Sequence, residues 1–194
     1  GEKMSKSIGN IRLVHEMIKE YKGEVLRMTL LSAHYRQPLN WTKEIIKQNS
    51  TMLDRLYRTL KDLEHIDAYT NNHSLPQNIL EGFYDDLNTP KVIAELNILT
   101  NKVSKADEEE KSLIKYCLLE TGKVLGILQQ DPREWLGYSQ SKNLDEVTIE
   151  NLIKERNEAR RKKNFEMADS IRKKLKESGI EIEDTSDGTI WRSN

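Results

Sequence analysis

With 31 Lys/Arg against 32 Asp/Glu over 194 residues, the chain carries a net charge of −1 and is no polycation that would hold nucleic acid by charge alone, so any such surface must be local. A hydrophobic content of 36% beside 32% charged residues suits amphipathic helices with broad wet faces and disfavours a sheet buried on both sides. The single cysteine, Cys117, excludes an internal disulfide and, beside Leu118 and Leu119, reads as a buried inert thiol.

The first stretch in chain order is Lys3-Met4-Ser5-Lys6-Ser7, followed by Gly9-Asn10. Two mobile ammonium groups three positions apart, with the hydroxyls of Ser5 and Ser7 beside them, suit an oligophosphate whose charge moves during reaction. No Gly-x-x-x-x-Gly-Lys-Ser/Thr pattern occurs, so phosphates would meet lysine side chains more than a backbone nest. Composition alone would describe the same stretch as a solvated Lys/Ser-rich segment.

Leu13, Val14, Met17, Ile18 and Tyr21 recur at three- and four-residue steps, predicting a helix that ends near Gly23. A second helix is expected from Glu24, before Pro38 stops continuation. Thr42 reads as the cap of a long helix with a stripe of Ile45, Asn49, Met52 or Leu53, Leu56, Leu60 and Leu63, Asn49 being a register-setting polar residue rather than a ligand. Pro76 suits a first helical turn, and Asp85-Asp86-Leu87-Asn88-Thr89-Pro90 reads as a helix-helix corner with Thr89-Pro90 as cap and first turn, rather than a metal site. Charged residues 107–111 should open a further helix, and Asp131-Pro132 a short turn through Trp135. The four histidines, His15, His34, His65 and His73, lack the spacing of a common zinc motif. No leader and no span of roughly 20 apolar residues is visible, so a soluble cytoplasmic protein is expected, with no membrane partner.

Small polar residues 137–143 read as a linker, and beyond it the character changes. Residues 151–176 hold ten Lys/Arg against four Asp/Glu, six positive charges in excess in a chain that is otherwise acidic. Leu152, Arg156 with its stem inward, and Ala159, then Phe165, Ala168, Ile171 and Leu175, outline two helices meeting near Asn164. Ile180-Glu181-Ile182-Glu183 and Thr189-Ile190-Trp191-Arg192 flank turn residues and should pair as a hairpin. Phe165, Asp169 and Arg172 fall at i, i+4 and i+7 and share a helix face. An aromatic plane, an acceptor for a base amino edge and a planar guanidinium donor are the groups that read unpaired RNA. Arg160 stands one helix earlier; Asp184 and Trp191 sit on the hairpin, where Trp191 either joins that surface or anchors the core.

The pentapeptide at 3–7 resembles the second signature motif of class I aminoacyl-tRNA synthetases. The residues Ala159-Arg160, Lys163, Phe165, Ala168-Asp169, Ile171-Arg172, Gly179-Ile180, Glu183-Asp184-Thr185, Gly188-Thr189 and Trp191-Arg192 are similar to the carboxy-terminal anticodon-binding domain of the cysteinyl-tRNA synthetase family. Residues 32–36 and 85–90 are similar to that family too, so the likeness runs from end to end. Phe165 departs from a frequent tryptophan, Asn164 from an aspartate, and Leu13 from a capping Thr.

The resemblance implies a mainly α fold: a loop and stem-contact region over 1–41, an antiparallel DALR-like, tRNA-binding helical bundle over 42–137, a linker over 138–146, and an α+β module of two helices and a β-hairpin over 147–194. It implies the carboxy-terminal portion of a monomeric cysteine-tRNA ligase, with tRNA(Cys), cysteine and ATP as partners. ATP would be held by Lys6, Lys3, Ser5 and Ser7, with Lys3 and Lys6 catalytic. The anticodon GCA would be read by Arg160, Phe165, Asp169, Arg172 and Asp184, with Trp191 beside them. Mg²⁺ and a thiolate-selecting zinc belong to the complete enzyme, with zinc ligands, a His-Ile-Gly-His signature and a nucleotide-binding fold upstream, so this chain alone should be inactive. The competing expectation is a non-catalytic helical adaptor for RNA or protein.

Overall fold

The computed structural model describes residues 11–69, 74–138, 144–185 and 188–193. They divide into two compact units, the first reaching Gln129 and the second starting at Gln130.

In the first unit the opening helix is only one turn, α1 (Val14–Met17), and buries no residue. The longer helix expected up to Gly23 does not form: Leu13 at the N-cap offers no side-chain hydrogen bond, and Leu13, Val14 and Ile18 are 45%, 70% and 55% exposed. Without a cap or apolar burial, extra turns have little to stabilise them. Helix α2 (Gly23–Leu31) ends well before Pro38, where the Ser32 hydroxyl donates to the Thr29 carbonyl at 2.8 Å.

Helix α3 (Lys43–Asp62) starts where expected, with the Thr42 hydroxyl accepting from the Ile45 amide at 3.3 Å. Its buried stripe is shifted at the start, Ile46 being buried and Ile45 only half-buried, and then runs through Leu53, Leu56, Tyr57, Leu60 and Leu63. Asn49 donates to the Ile45 carbonyl at 2.9 Å and to the Ser32 hydroxyl at 3.4 Å, tying α3 to the end of α2. At the other end Lys115 donates to the carbonyls of Leu63 at 3.0 Å and Ile66 at 2.6 Å, a cation on the negative end of α3.

Helices α4 (Gln77–Tyr84) and α5 (Thr89–Lys102) meet at the expected corner. The cap is Asn88, not Thr89: the Asn88 side chain accepts from the Lys91 amide at 3.2 Å, while Thr89 uses its hydroxyl to donate to the Leu31 carbonyl at 2.7 Å. Asp86 and Leu87 both take left-handed backbone (φ 51° and 54°) to turn the chain. Gly82 lets the helices close up, since a Cβ there would stand 2.6 Å from Val92 Cγ2. Helix α6 (Glu108–Leu125) opens on a capping box between Asp107 and Glu110 and ends at left-handed Gly126. On α6 the Cys117 thiol is fully buried, and burial pushes it up to about 11. Helix α3 packs against α2, α5 and α6, completing a helical bundle.

A buried carboxylate ties this bundle together. Glu24 on α2 accepts from the Tyr57 hydroxyl on α3 at 2.8 Å and from the amides of Leu128 and Gln129 at 2.9 and 3.1 Å.

In the second unit Asp131 caps α7 (Pro132–Trp135) by accepting from the Arg133 and Glu134 amides. Helix α8 (Glu146–Arg161) is capped by Asp145, which accepts from Thr148 at 2.9 Å. A turn with Lys163 left-handed (φ 58°) leads into α9 (Phe165–Glu177), capped by Asn164 accepting from Met167 at 3.1 Å. Strands β1 (Ile180–Thr185) and β2 (Gly188–Ser193) pair antiparallel, with Ile182 opposite Trp191 and Asp184 opposite Thr189. Ile149, Leu152, Ile153, Ile171, Leu175, Ile180 and Trp191 form the core, and Tyr138 packs edge-on to Trp191 with centroids 4.1 Å apart.

Candidate nucleic-acid interface

The expected RNA-reading residues of the second unit fall into an outward set and an inward pair. Phe165 is the first residue of α9 and is 62% exposed, so it is not part of the packing stripe with Ala168, Ile171 and Leu175. Asp169 and Arg172 are exposed on the same helix face, four and seven residues on. Arg160 lies in the last turn of α8 with its side chain 49% exposed, and the tight turn to α9 is closed by the Lys163 amide donating to the Arg160 carbonyl at 3.0 Å. An aromatic plane, an acceptor and a guanidinium group thus share one exposed face of α9, and a second exposed guanidinium, that of Arg160, stands near the end of α8 on Asp184. Trp191 does not join them: it is 4% exposed, its ring committed to the core.

Asp184 lies at the edge of that core. Period-two alternation places it on the hairpin face of Ile180 and Ile182, where it meets Arg156. The Arg156 guanidinium donates in a fork, Nη1 to Oδ1 and Nη2 to Oδ2, both at 2.8 Å. The Thr189 hydroxyl donates to Oδ1 at 2.7 Å and Arg160 Nη1 to Oδ2 at 2.5 Å. The hydrogen bonds from Arg156 hold the Asp184 carboxyl far below the usual carboxylate range, outweighing partial burial, with Thr189 and Arg160 adding to the effect. The same bond raises Arg156 above its ordinary value against the opposing effect of burial, and the negative charge of Asp169 contributes in the same direction. Asp184 is therefore an anchored anion, not a free acceptor.

Sequence reasoning named Asp184 but missed its partner. The signal was present: Arg156 follows Leu152 by four residues on the buried face of α8, and Asp184 continues the inward alternation of Ile180 and Ile182. A cation forced inward requires an anion, and the hairpin offers one.

In the first unit the two family-like stretches, fifty residues apart, meet at Asp86. Its carboxylate accepts from Arg36 Nε at 2.6 Å and from the Tyr35 hydroxyl at 2.7 Å, while the Arg36 guanidinium lies 5.0 Å from the Tyr35 ring centroid. His34 stacks on the same ring at 5.0 Å. The Arg36 bond, then that from Tyr35, holds the Asp86 carboxyl at about 2, and Asp86 in turn raises the Tyr35 hydroxyl. An exposed ion pair thus links the helix-helix corner to Arg36.

Lys3, Ser5, Lys6 and Ser7 lie outside the described residues, as do residues 139–143 of the expected linker. Among the described residues no three His, Cys, Asp or Glu side chains come together to hold a metal ion, so no metal chemistry is derived for them. No described helix is long and apolar enough to cross a membrane.

Comparison with known proteins gives three successive matches. The family described as tRNA synthetases class I (C) catalytic domain matches residues 1–51, the DALR domain residues 81–129, and the cysteinyl-tRNA ligase anticodon binding domain residues 146–192. A cysteine--tRNA ligase of Parvibaculum lavamentivorans is 44% identical over 98% of this chain and 41% of its own length. Those of Xanthomonas campestris and Xylella fastidiosa are 42% and 43% identical, over 99% and 98% of this chain and 41% and 42% of their own. The chain thus spans about two-fifths of the length of the relatives it matches. From the order of these matches and the likeness over nearly every residue, the chain belongs to the cysteinyl-tRNA synthetase family, corresponding to its carboxy-terminal portion.

Proposed function

We propose that the chain supplies the tRNA-recognising portion and the ATP loop of a cysteine-tRNA ligase, which activates cysteine with ATP and transfers it to tRNA(Cys). The observation that carries the recognition half is the exposed Phe165, on one helix face with Asp169 and Arg172. A large aromatic left 62% exposed beside unburied guanidinium groups is what a base-stacking surface requires. In this reading Phe165 stacks an anticodon base, Asp169 accepts from a base amino group, and Arg160 and Arg172 donate to base edges or phosphates.

Lys6, helped by Lys3 and the hydroxyls of Ser5 and Ser7, neutralises charge gathering on the departing pyrophosphate, an electrostatic role worth several kcal/mol where water is excluded. Mg²⁺ and zinc belong to the complete enzyme in this reading, and no residue described here is assigned to them. A cytoplasmic monomer follows from the same reading. Titrating the chain with an RNA hairpin carrying the anticodon GCA and with an anticodon-swapped hairpin tests it: the first should bind at least about tenfold more tightly, since each base mismatch costs about 1–3 kcal/mol. Equal affinities would make the second unit a generic phosphate clamp.

A further inference from the structure

Arg156 is absent from the expected RNA-reading residues, yet it holds one of them, Asp184, in place. Its side chain is 5% exposed, and a guanidinium that deep is tolerated only with an anion and well-placed acceptors. Asp184 provides the anion through the two-pronged bond, and the Asn157 side-chain oxygen accepts from Arg156 Nη1 at 3.2 Å.

A carboxylate offers about four lone-pair positions. In Asp184 Oδ1 is taken by Arg156 Nη1 and the Thr189 hydroxyl, and Oδ2 by Arg156 Nη2 and Arg160 Nη1. A base amino group can therefore reach Asp184 only by displacing one of these donors. Arg156 and Arg160 differ sharply in this respect, with side chains 5% and 49% exposed. Of the two arginines, only Arg160 can exchange its bond for RNA without stripping a buried charge of its partner.

We propose that Arg156 is a positioning residue for anticodon reading, the fixed anchor that holds the Asp184 carboxylate in place at the edge of the core while Arg160 gives up its bond to incoming RNA. This rests on the reading of the second unit as anticodon-binding. Arg160, once released, carries its donors to a phosphate or base edge, and Asp184 gains one open acceptor position at Oδ2. Thr189 and Asn157 complete the part that stays still. Lysine cannot replace Arg156 here, because a point charge lacks the planar fork that fixes both carboxylate oxygens.

The test compares the 194-residue chain with Arg156→Lys for binding to the GCA hairpin and to an anticodon-swapped hairpin. The variant should keep its affinity for the swapped hairpin, which reads mainly phosphate contact, and lose about tenfold in preference for GCA. A wild-type preference retained in full by Arg156→Lys overturns the inference alone. Absence of any wild-type preference overturns it together with the proposed function. Should the variant fail to fold, nitrogen-15 spectra of the wild-type arginine side chains decide instead. On adding the GCA hairpin the Arg156 guanidinium signals should hold their positions while those of Arg160 move, and the reverse pattern overturns the proposal.

Discussion

Glu24 and Tyr57 meet through a 2.8 Å hydrogen bond from the phenol to the carboxylate, inside the bundle of the first unit. Because that carboxylate also accepts the Leu128 and Gln129 amides, removing it takes an acceptor from three donors at two places in the chain. Glu24→Ala should cost about 3 kcal/mol, and Tyr57→Phe, which leaves the two amide bonds intact, about 1 kcal/mol. Urea denaturation followed by helical circular dichroism checks the ordering, and equal losses would contradict it.

Asp184→Ala leaves the Arg156 guanidinium buried without its counter-ion. The cost to the second unit should be about 2 kcal/mol, under the range for a fully enclosed pair because the Asp184 side chain is 43% exposed. The pH dependence has a definite sign. The folded carboxyl ionises below its ordinary value of 3.8, so its contribution is complete above about pH 4 and fades as the solution becomes more acid. Thermal melts at pH 7 and pH 3 should differ less for Asp184→Asn than for the wild type.

Asp86 gives a local titration to follow. Its carboxyl is held at about 2 by Arg36 and Tyr35, so the tie to residues 35 and 36 is whole above about pH 4 and is lost as pH falls through 2. Carbon-13 NMR of the Asp86 carboxyl should show its inflection near that value. Arg36→Ala should move the inflection upward toward 3.8.

Phe165 and Trp191 should separate recognition from stability. Phe165→Ala, at an exposed first-turn position, should change thermal stability by less than about 0.5 kcal/mol yet weaken hairpin RNA binding by about 1–3 kcal/mol. Trp191→Ala should cost about 3–5 kcal/mol of folding stability, because the ring fills the core against Tyr138. Melting curves and RNA titrations of both variants test the division, and a destabilised Phe165→Ala would break it.

Lys6→Ala bears on the chemical half of the proposal. In a protein of the relatives' full length, cysteine-dependent exchange of pyrophosphate into ATP should fall by two orders of magnitude or about 2.7 kcal/mol, with tRNA affinity hardly changed. Undiminished exchange would remove Lys6 from the reaction.

Helix starts were legible in the sequence because caps are local. Thr42, Asp107 and Asp131 each lie within four residues of the amide they accept, and each does what its residue type suggests. Thr89 misled because Asn88 competes for the same duty one position earlier, and a distant carbonyl, that of Leu31, claimed the threonine hydroxyl instead. The first helix misled because periodicity records which residues could share a face, not whether anything buries that face. In the candidate site the shared exposed face of Phe165, Asp169 and Arg172 was legible from spacing along one helix. The pairing of Arg156 with Asp184 left only the indirect trace of an inward-facing cation, and that of Arg36 with Asp86 none, since partners 28 and 50 residues apart are brought together by the fold.

The sealed thiol on α6 has a practical use. With its proton held up to about 11, Cys117 presents almost no thiolate near neutral pH, and maleimide dyes attack only the thiolate. A cysteine introduced at exposed Lys173 on α9 would then be the one reactive thiol in the chain. A fluorophore or spin label could report RNA docking from that helix without disturbing the native core.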